Sequence, residues 1–294
     1  MPGRVPRVVR TPAIVLHYRR LGEADRIVTL LTPGRGKIDV VAKGVLRSKS
    51  RMGGHLEPLT LVEVVLAHGR NMDVVTQAQT IDAFPATHAD LDRLSAAMYL
   101  LELADRFTVE HADAEGLHDL LHAALVRLAR GDGQQVVTRT FELALLDATG
   151  FRPELVSCVR CEAPVPAEAA WWAPVEGGVM CASCARSHPD AQPIDATALR
   201  VLRAFQALTY EEAGRIRLTD ELAARMEQAM HALMRAVVER DLKSAQFVSA
   251  ARRARVAGES PAADRGESRA DVEADVEGDG EGDEDDQGAS SLAE

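Results

Sequence analysis

Arg26-Ile27-Val28-Thr29-Leu30-Leu31-Thr32-Pro33-Gly34-Arg35-Gly36-Lys37-Ile38-Asp39-Val40-Val41-Ala42-Lys43 decides the fold of the first third of the chain. Two runs rich in β-branched residues flank a Pro-Gly turn cluster, the pattern of antiparallel strands joined by a tight connection. Upstream lies a short apolar run, Ala13-Ile14-Val15-Leu16. Downstream, Leu59 to Leu66 and Met72 to Ile81 are separated by His68-Gly69-Arg70-Asn71. Five short strands within about 80 residues predict a small closed barrel of the OB type over residues 1–82.

Charge is segregated along the chain. The net charge is −11, yet residues 1–82 carry thirteen basic and seven acidic side chains, a local charge of +6. Residues 257–294 carry fourteen acids against two arginines, which gives −12. A basic head and an acidic tail on one chain point to a polyanionic partner, most commonly nucleic acid. Within the head, Lys43, Arg47, Lys49 and Arg51 cluster in Ala42-Lys43-Gly44-Val45-Leu46-Arg47-Ser48-Lys49-Ser50-Arg51-Met52-Gly53-Gly54, and no acid occurs from Val40 to Leu56. A flexible basic loop with hydroxyls between strands suits phosphate binding; a merely solvated basic loop is the plainer alternative. Tyr18 is the only aromatic residue before Phe84, which predicts contact with the sugar–phosphate backbone rather than base stacking.

From residue 87 the apolar period becomes helical. Leu91, Leu94, Met98 and Leu101 share one face behind a Thr87-x-x-Asp90 capping box. Leu117 to Leu128 form a second stripe, and Val137, Phe141 and Leu145 a third that Gly150 ends. Asp195 caps a helix through Leu199, Leu202 and Phe205, and Thr219 caps another through Leu222, Met226, Met230, Leu233 and Val237. The stripes read as the core of a helical domain over residues 83–256. Residues 257–294 have almost nothing apolar and are expected to be disordered. A sharper reading has Asp271 to Asp286 folding back on the basic head.

All four cysteines fall in one pattern, Cys158-x-x-Cys161, nineteen intervening residues, then Cys181-x-x-Cys184. Paired thiolates of this spacing bite one zinc ion from two turns, and Trp171 to Gly178 supply a hairpin between them. Residues at about 155–190 therefore read as a zinc-binding insert. Four protein ligands leave no open position, so a structural zinc is expected rather than a catalytic one. Disulfides, a redox pair and an iron–sulfur cluster are the alternatives; spacing and a reducing compartment favour zinc.

No run of about 18 apolar residues occurs and no signal-type segment opens the chain, so a cytoplasmic protein without a membrane span is expected. Gly34-Arg35-Gly36-Lys37 lacks the spacing of a phosphate-binding P-loop and reads as a hairpin turn. His118 and His122 stand four apart on a predicted helix, outside its apolar stripe, and read as a solvated or groove-lining face. No nucleophile–base constellation can be assembled, so no catalytic residue is assigned. A zinc-containing DNA-processing hydrolase or nuclease is the rival reading; a transcription regulator is weaker for want of a recognition-helix module.

At this point the residues resemble the RecO family of bacterial recombination mediators. The resemblance runs through Ala13–Leu16, Leu21-Gly22-Glu23-Ala24-Asp25-Arg26-Ile27-Val28, Leu31-Thr32, Gly36-Lys37, Ala42-Lys43-Gly44 and Arg47-Ser48-Lys49-Ser50-Arg51. It continues through Tyr99–Leu103, Phe141–Leu146 with Gly150 and Pro153, the cysteines, and Leu242-Lys243-Ser244, covering residues 8–250 in family order. It implies an OB-fold barrel, a helical domain and a structural zinc insert. It also implies binding to single- and double-stranded DNA, annealing of complementary strands, and work with RecR and single-stranded DNA-binding protein to load RecA at the nucleoid. DNA contact carries over to Arg26, Lys37, Lys43, Arg47, Lys49 and Arg51. The long acidic tail departs from the family pattern.

Overall fold

A computed structural model describes residues 8–108 and 116–256; the tail expected over 257–294 lies outside them. Residues through Gln246 form one compact unit and Phe247 begins a second. The architecture is mixed α+β, with strands first and helices after.

The first five strands are β1 (Val8–Leu21), β2 (Asp25–Thr32), β3 (Gly36–Ala42), β4 (Thr60–Ala67) and β5 (Asp73–Asp82). They close into a barrel in the order β1-β2-β3-β5-β4. All neighbours pair antiparallel except β3 and β5, whose short parallel contact, Val40 with Asp73 and Val41 with Val74, seals the barrel. Alternation explains both faces. Val28 and Leu30, Ile38, Val40 and Ala42, and Val62, Val64 and Leu66 point into the barrel. Ile14, Leu16, Leu31, Leu59, Leu61 and Phe84 instead join the core of the helices. One flank of the barrel is therefore packed into the helical part, and the cations on that flank are drawn into protein contacts.

The helices are α1 (Pro85–His88), α2 (Leu91–Arg106), α3 (Leu117–Arg130) and α4 (Gln134–Ala148), and after the insert α6 (Ala196–Ala207), α7 (Tyr210–Ala213) and α8 (Asp220–Val256). The insert holds β6 (Ala170–Ala173), β7 (Gly178–Cys181), the short α5 (Ala182–Ala185) and β8 (Gln192–Pro193), with sheet order β7-β6-β8. Several termini are as the sequence predicts. Asp195 accepts from the Ala198 amide at 2.8 Å, and Thr219 accepts from the Leu222 amide at 3.3 Å. Gly150, at φ 81°, ends α4 in a Schellman motif, with Phe151 N–H donating to the Leu146 carbonyl at 2.7 Å.

Two predictions at α2 are corrected. Its N-cap is Asp90, which accepts from the Asp92 and Arg93 amides at 3.0 and 3.1 Å, while Thr87 lies buried in α1. Of the predicted stripe Leu101 is buried and Leu94 packs against the core, but Leu91 and Met98 are 77% and 42% exposed; the buried residues are Ala97, Leu100, Leu101, Leu103 and Ala104. Small alanines let the helix sit close to its neighbours, so the densest packing chose a face that counting large apolar residues passes over. No helix among the described residues is long and apolar enough to cross a membrane.

Candidate functional site

The segment between β3 and β4, read from sequence as a flexible basic loop, is tied to the barrel at several points. Val45 and Leu56 are buried in the barrel interior, with Leu46 and Met52 packed beside them. Leu59 enters the helical core with φ 62°, a left-handed conformation unusual for a leucine. Gly44, at φ 64°, starts a turn across which the Arg47 side chain lies, 3.6 Å from where a Cβ would stand. Its amide donates to Asp25 Oδ1 at 2.7 Å, and the Leu46 amide donates to the Ala24 carbonyl at 2.9 Å. Between these pegs Lys43, Arg47, Lys49 and Arg51 are all exposed, and none has an ion-pair partner among the described residues.

Arg26 and Lys37 sit differently. Arg26 is 13% exposed, donates to Glu57 at 2.8 Å, and covers the Tyr18 ring with its guanidinium 3.7 Å from the centroid. Tyr18 is thereby occupied as a stacking surface. Lys37 Nζ donates to the Asp105 carbonyl at 2.5 Å and to its carboxylate at 3.1 Å, on α2. His17 Nε2 stands 3.4 Å from that same carboxylate. These two cations are paired within the protein, whereas the four loop cations are exposed on one segment. Sequence reasoning passed over Arg20, also exposed and without an ion-pair partner among the described residues. It lies one residue before the end of β1, opposite Arg26, at the end of the barrel to which Ala24 and Asp25 tie the loop. Strand register was needed to place it beside that loop.

The second feature is the cysteine cluster, whose four Sγ atoms all lie within 4.8 Å of one another. The first pair sits in a turn. Cys158 N–H donates to the Ala163 carbonyl and Glu162 N–H to the Cys158 carbonyl, both at 2.8 Å, with Glu162 at φ 60°. The second pair spans the junction of β7 and α5. Gly178 clamps the two halves: a Cβ there would stand 2.2 Å from the Glu154 carbonyl oxygen. Glu154 pairs on both sides of it, donating to Gly177 at 3.0 Å and accepting from Val179 at 2.9 Å. The hairpin is fixed to α8 by Trp172 Nε1, which donates to the Ala229 carbonyl at 3.0 Å. From α6, Arg203 donates to the Leu155 and Val165 carbonyls, each at 2.7 Å, and so straddles the first turn. Nothing in the local sequence marks Arg203, because its partners are backbone atoms 38 or more positions away.

The four thiols stand close enough together to hold one metal ion. A Zn–S length of about 2.3 Å requires sulfur–sulfur edges of about 3.8 Å, and Cys161 and Cys181 stand 3.8 Å apart. The Ser183 hydroxyl and then the Cys184 amide hold the Cys181 thiol down to about 6. Cys184 is pushed up to about 12, first by Cys181 and next by Cys161. Thiols this close share protons unless a cation replaces them, which is the chemistry a divalent metal supplies. His118 and His122, by contrast, join no third metal-ligating side chain among the described residues. His118 is buried rather than solvated, its Nδ1 2.9 Å from Asp119 Oδ1, because α3 turns that edge toward the core.

Family comparisons follow the same division. A family described as "Recombination protein O N terminal" matches residues 7–84, and "Recombination protein O C terminal" matches residues 88–246. The chain belongs to the RecO family. It is 38% identical over 242 residues to the DNA repair protein RecO of Roseiflexus sp. (strain RS-1), covering 82% of this chain and 85% of that protein. It is 34% identical over 247 residues to the DNA repair protein RecO of Dehalococcoides mccartyi (strain CBDB1), covering 84% and 97%. The RecO of Desulforudis audaxviator is 42% identical over 193 residues, covering 66% and 77%. This chain is thus a DNA repair protein of the RecO family.

Proposed function

We propose that the chain is a non-enzymatic mediator of homologous recombination that binds single- and double-stranded DNA through its β3–β4 loop and anneals complementary strands. The observation that carries this is the grouping of Lys43, Arg47, Lys49 and Arg51, exposed and unpaired among the described residues on a loop pinned from below. Pinned cations meet phosphates without first being ordered, and they screen repulsion between two strands while base pairing selects the partner. The occupied Tyr18 ring supports backbone contact with little sequence preference. Arg26 and Lys37 are assigned supporting roles.

The barrel, residues 1–82, is read as an OB fold, which the strand order and the parallel closure between β3 and β5 support. Residues 83–256 are read as the helical domain and 257–294 as an acidic tail. The insert is read as a structural zinc site on Cys158, Cys161, Cys181 and Cys184, which the closeness of their four Sγ atoms supports. Zinc supplies a cross-link there; the fold around it is set by Gly178, Trp172 and Arg203. RecR and single-stranded DNA-binding protein are the proposed partners, with RecA loaded indirectly, in the cytoplasm at the nucleoid.

Mobility-shift and annealing assays with complementary oligonucleotides across a salt series test the reading. Expected are weakly sequence-dependent binding, accelerated annealing and an affinity that falls steeply with salt. A flat salt response, or strand cleavage that a chelator abolishes, would overturn it.

A further inference from the structure

The cationic loop is held at both ends by acids. At its start the Gly44 amide donates to Asp25 Oδ1 at 2.7 Å, beside the backbone bond from Leu46 to Ala24. At its end Glu57 accepts from Arg26 at 2.8 Å, and Arg26 is itself fixed over Tyr18. Both acids lie in the head, at the end of the barrel that carries the unpaired cations. Simple electrostatics says that removing either one should strengthen the grip on a polyanion. The geometry says the reverse.

We propose that Asp25 and Glu57 are positioning residues for nucleic-acid binding: as hydrogen-bond acceptors they hold the loop in the shape that presents Lys43, Arg47, Lys49 and Arg51 together. The proposal rests on the reading of this loop as the DNA-binding element. Asp25 acts on the first turn, where Gly44 adopts φ 64° and Arg47 folds across it. Glu57 acts on the return into β4, just before Leu59 takes its strained left-handed conformation. What matters at each position is the acceptor oxygen, and the negative charge is incidental or adverse. Alanine therefore removes the anchor, whereas the amide keeps an acceptor and discards the charge.

The test uses the full chain with Asp25→Ala, Asp25→Asn, Glu57→Ala and Glu57→Gln. Dissociation constants for a single-stranded oligonucleotide are measured at fixed salt, beside tryptic nicking of the loop at its own lysines and arginines. The alanine variants should bind about tenfold more weakly, near the lower end for losing one charge-assisted hydrogen bond, and should be nicked faster than wild type. The amide variants should bind as tightly as wild type or tighter, with wild-type nicking. Alanine variants that bind unchanged or tighter, alanine variants that weaken without faster nicking, or amide variants as weak as alanine each overturn the proposal. Should Asp25→Ala fail to fold, Glu57→Ala decides, since that side chain is 46% exposed. A wild-type chain that does not bind DNA would sink the underlying reading, while the nicking rates would still judge the anchors.

Discussion

Gly178→Ala offers a sharp test of how the insert is built. The added methyl would stand 2.2 Å from the Glu154 oxygen and 2.9 Å from Val159 Cγ1, and the first of these is backbone with no rotamer to yield. Restoring ordinary contact requires the Glu154 strand to retreat by about 1 Å. That retreat strains three backbone hydrogen bonds, Glu154 to Gly177, Val179 to Glu154 and Val159 to Val179, of 2.9–3.0 Å. At about 1 kcal/mol each the loss is about 2–3 kcal/mol. It corresponds to a drop of roughly 5–10 °C in Tm for a domain of this size. The same shift moves Cys158 and Cys161 relative to Cys181 and Cys184, whereas a metal site tolerates about 0.2 Å. Thermal melts with and without added zinc, and zinc release to a chromogenic chelator, read both effects. Faster release and a lower Tm are expected, with DNA affinity at the barrel preserved. Gly177→Ala is the control: its φ of 85° strains a side chain, but nothing lies within 4 Å of the new methyl. Gly178→Ala melting and releasing zinc like wild type would refute the clamp.

Arg203→Met should destabilise the insert by about 2–3 kcal/mol, because two buried carbonyls lose a charged donor; chemical denaturation monitored by tryptophan fluorescence checks this. Glu142 lies buried in α4 against Arg139 at 3.1 Å and accepts from the Tyr99 hydroxyl at 2.7 Å. Burial pushes its carboxyl up to about 7, against the opposing pull of Arg139. The folded state therefore holds a proton that the unfolded state releases near the ordinary value, so stability should fall as pH rises from about 4.5 to 7. Glu142→Gln should flatten that fall in melts taken across the same range; an equally steep curve would contradict the assignment.

The barrel was legible because alternation in Ile38, Val40 and Ala42 and in Val62, Val64 and Leu66 is a local signal that tertiary structure obeyed. The cysteine cluster was legible because its ligands come in two tight pairs. The covered flank of the barrel was not: Leu31 and Lys37 look in sequence like any strand residues, and only the docking of α2 assigns one to a shared core and the other to Asp105. That docking pairs Lys37 with Asp105, whereas Arg26 is held within the barrel by Glu57 and Tyr18. On α2 the face was misread because Ala97 and Ala104 carry little hydrophobic weight in a pattern yet permit the closest packing. Long-range partners to backbone, such as those of Arg203, leave no periodic trace.

Neutralisation of phosphates by the four loop cations is the proposal on which DNA binding rests. Each contact to a single strand contributes about 0.7 to the slope of log affinity against log salt. Replacing Lys43, Arg47, Lys49 and Arg51 by glutamine should therefore lower the slope by about 2.8. Those four contacts account for about a 50-fold loss of affinity between about 50 and 200 mM salt. The direct measurement is that slope, in wild type, in the fourfold variant, and in Lys37→Gln as a cation already paired to Asp105. A much shallower slope is expected for the fourfold variant and an unchanged one for Lys37→Gln. A fourfold variant that keeps the wild-type slope would contradict it.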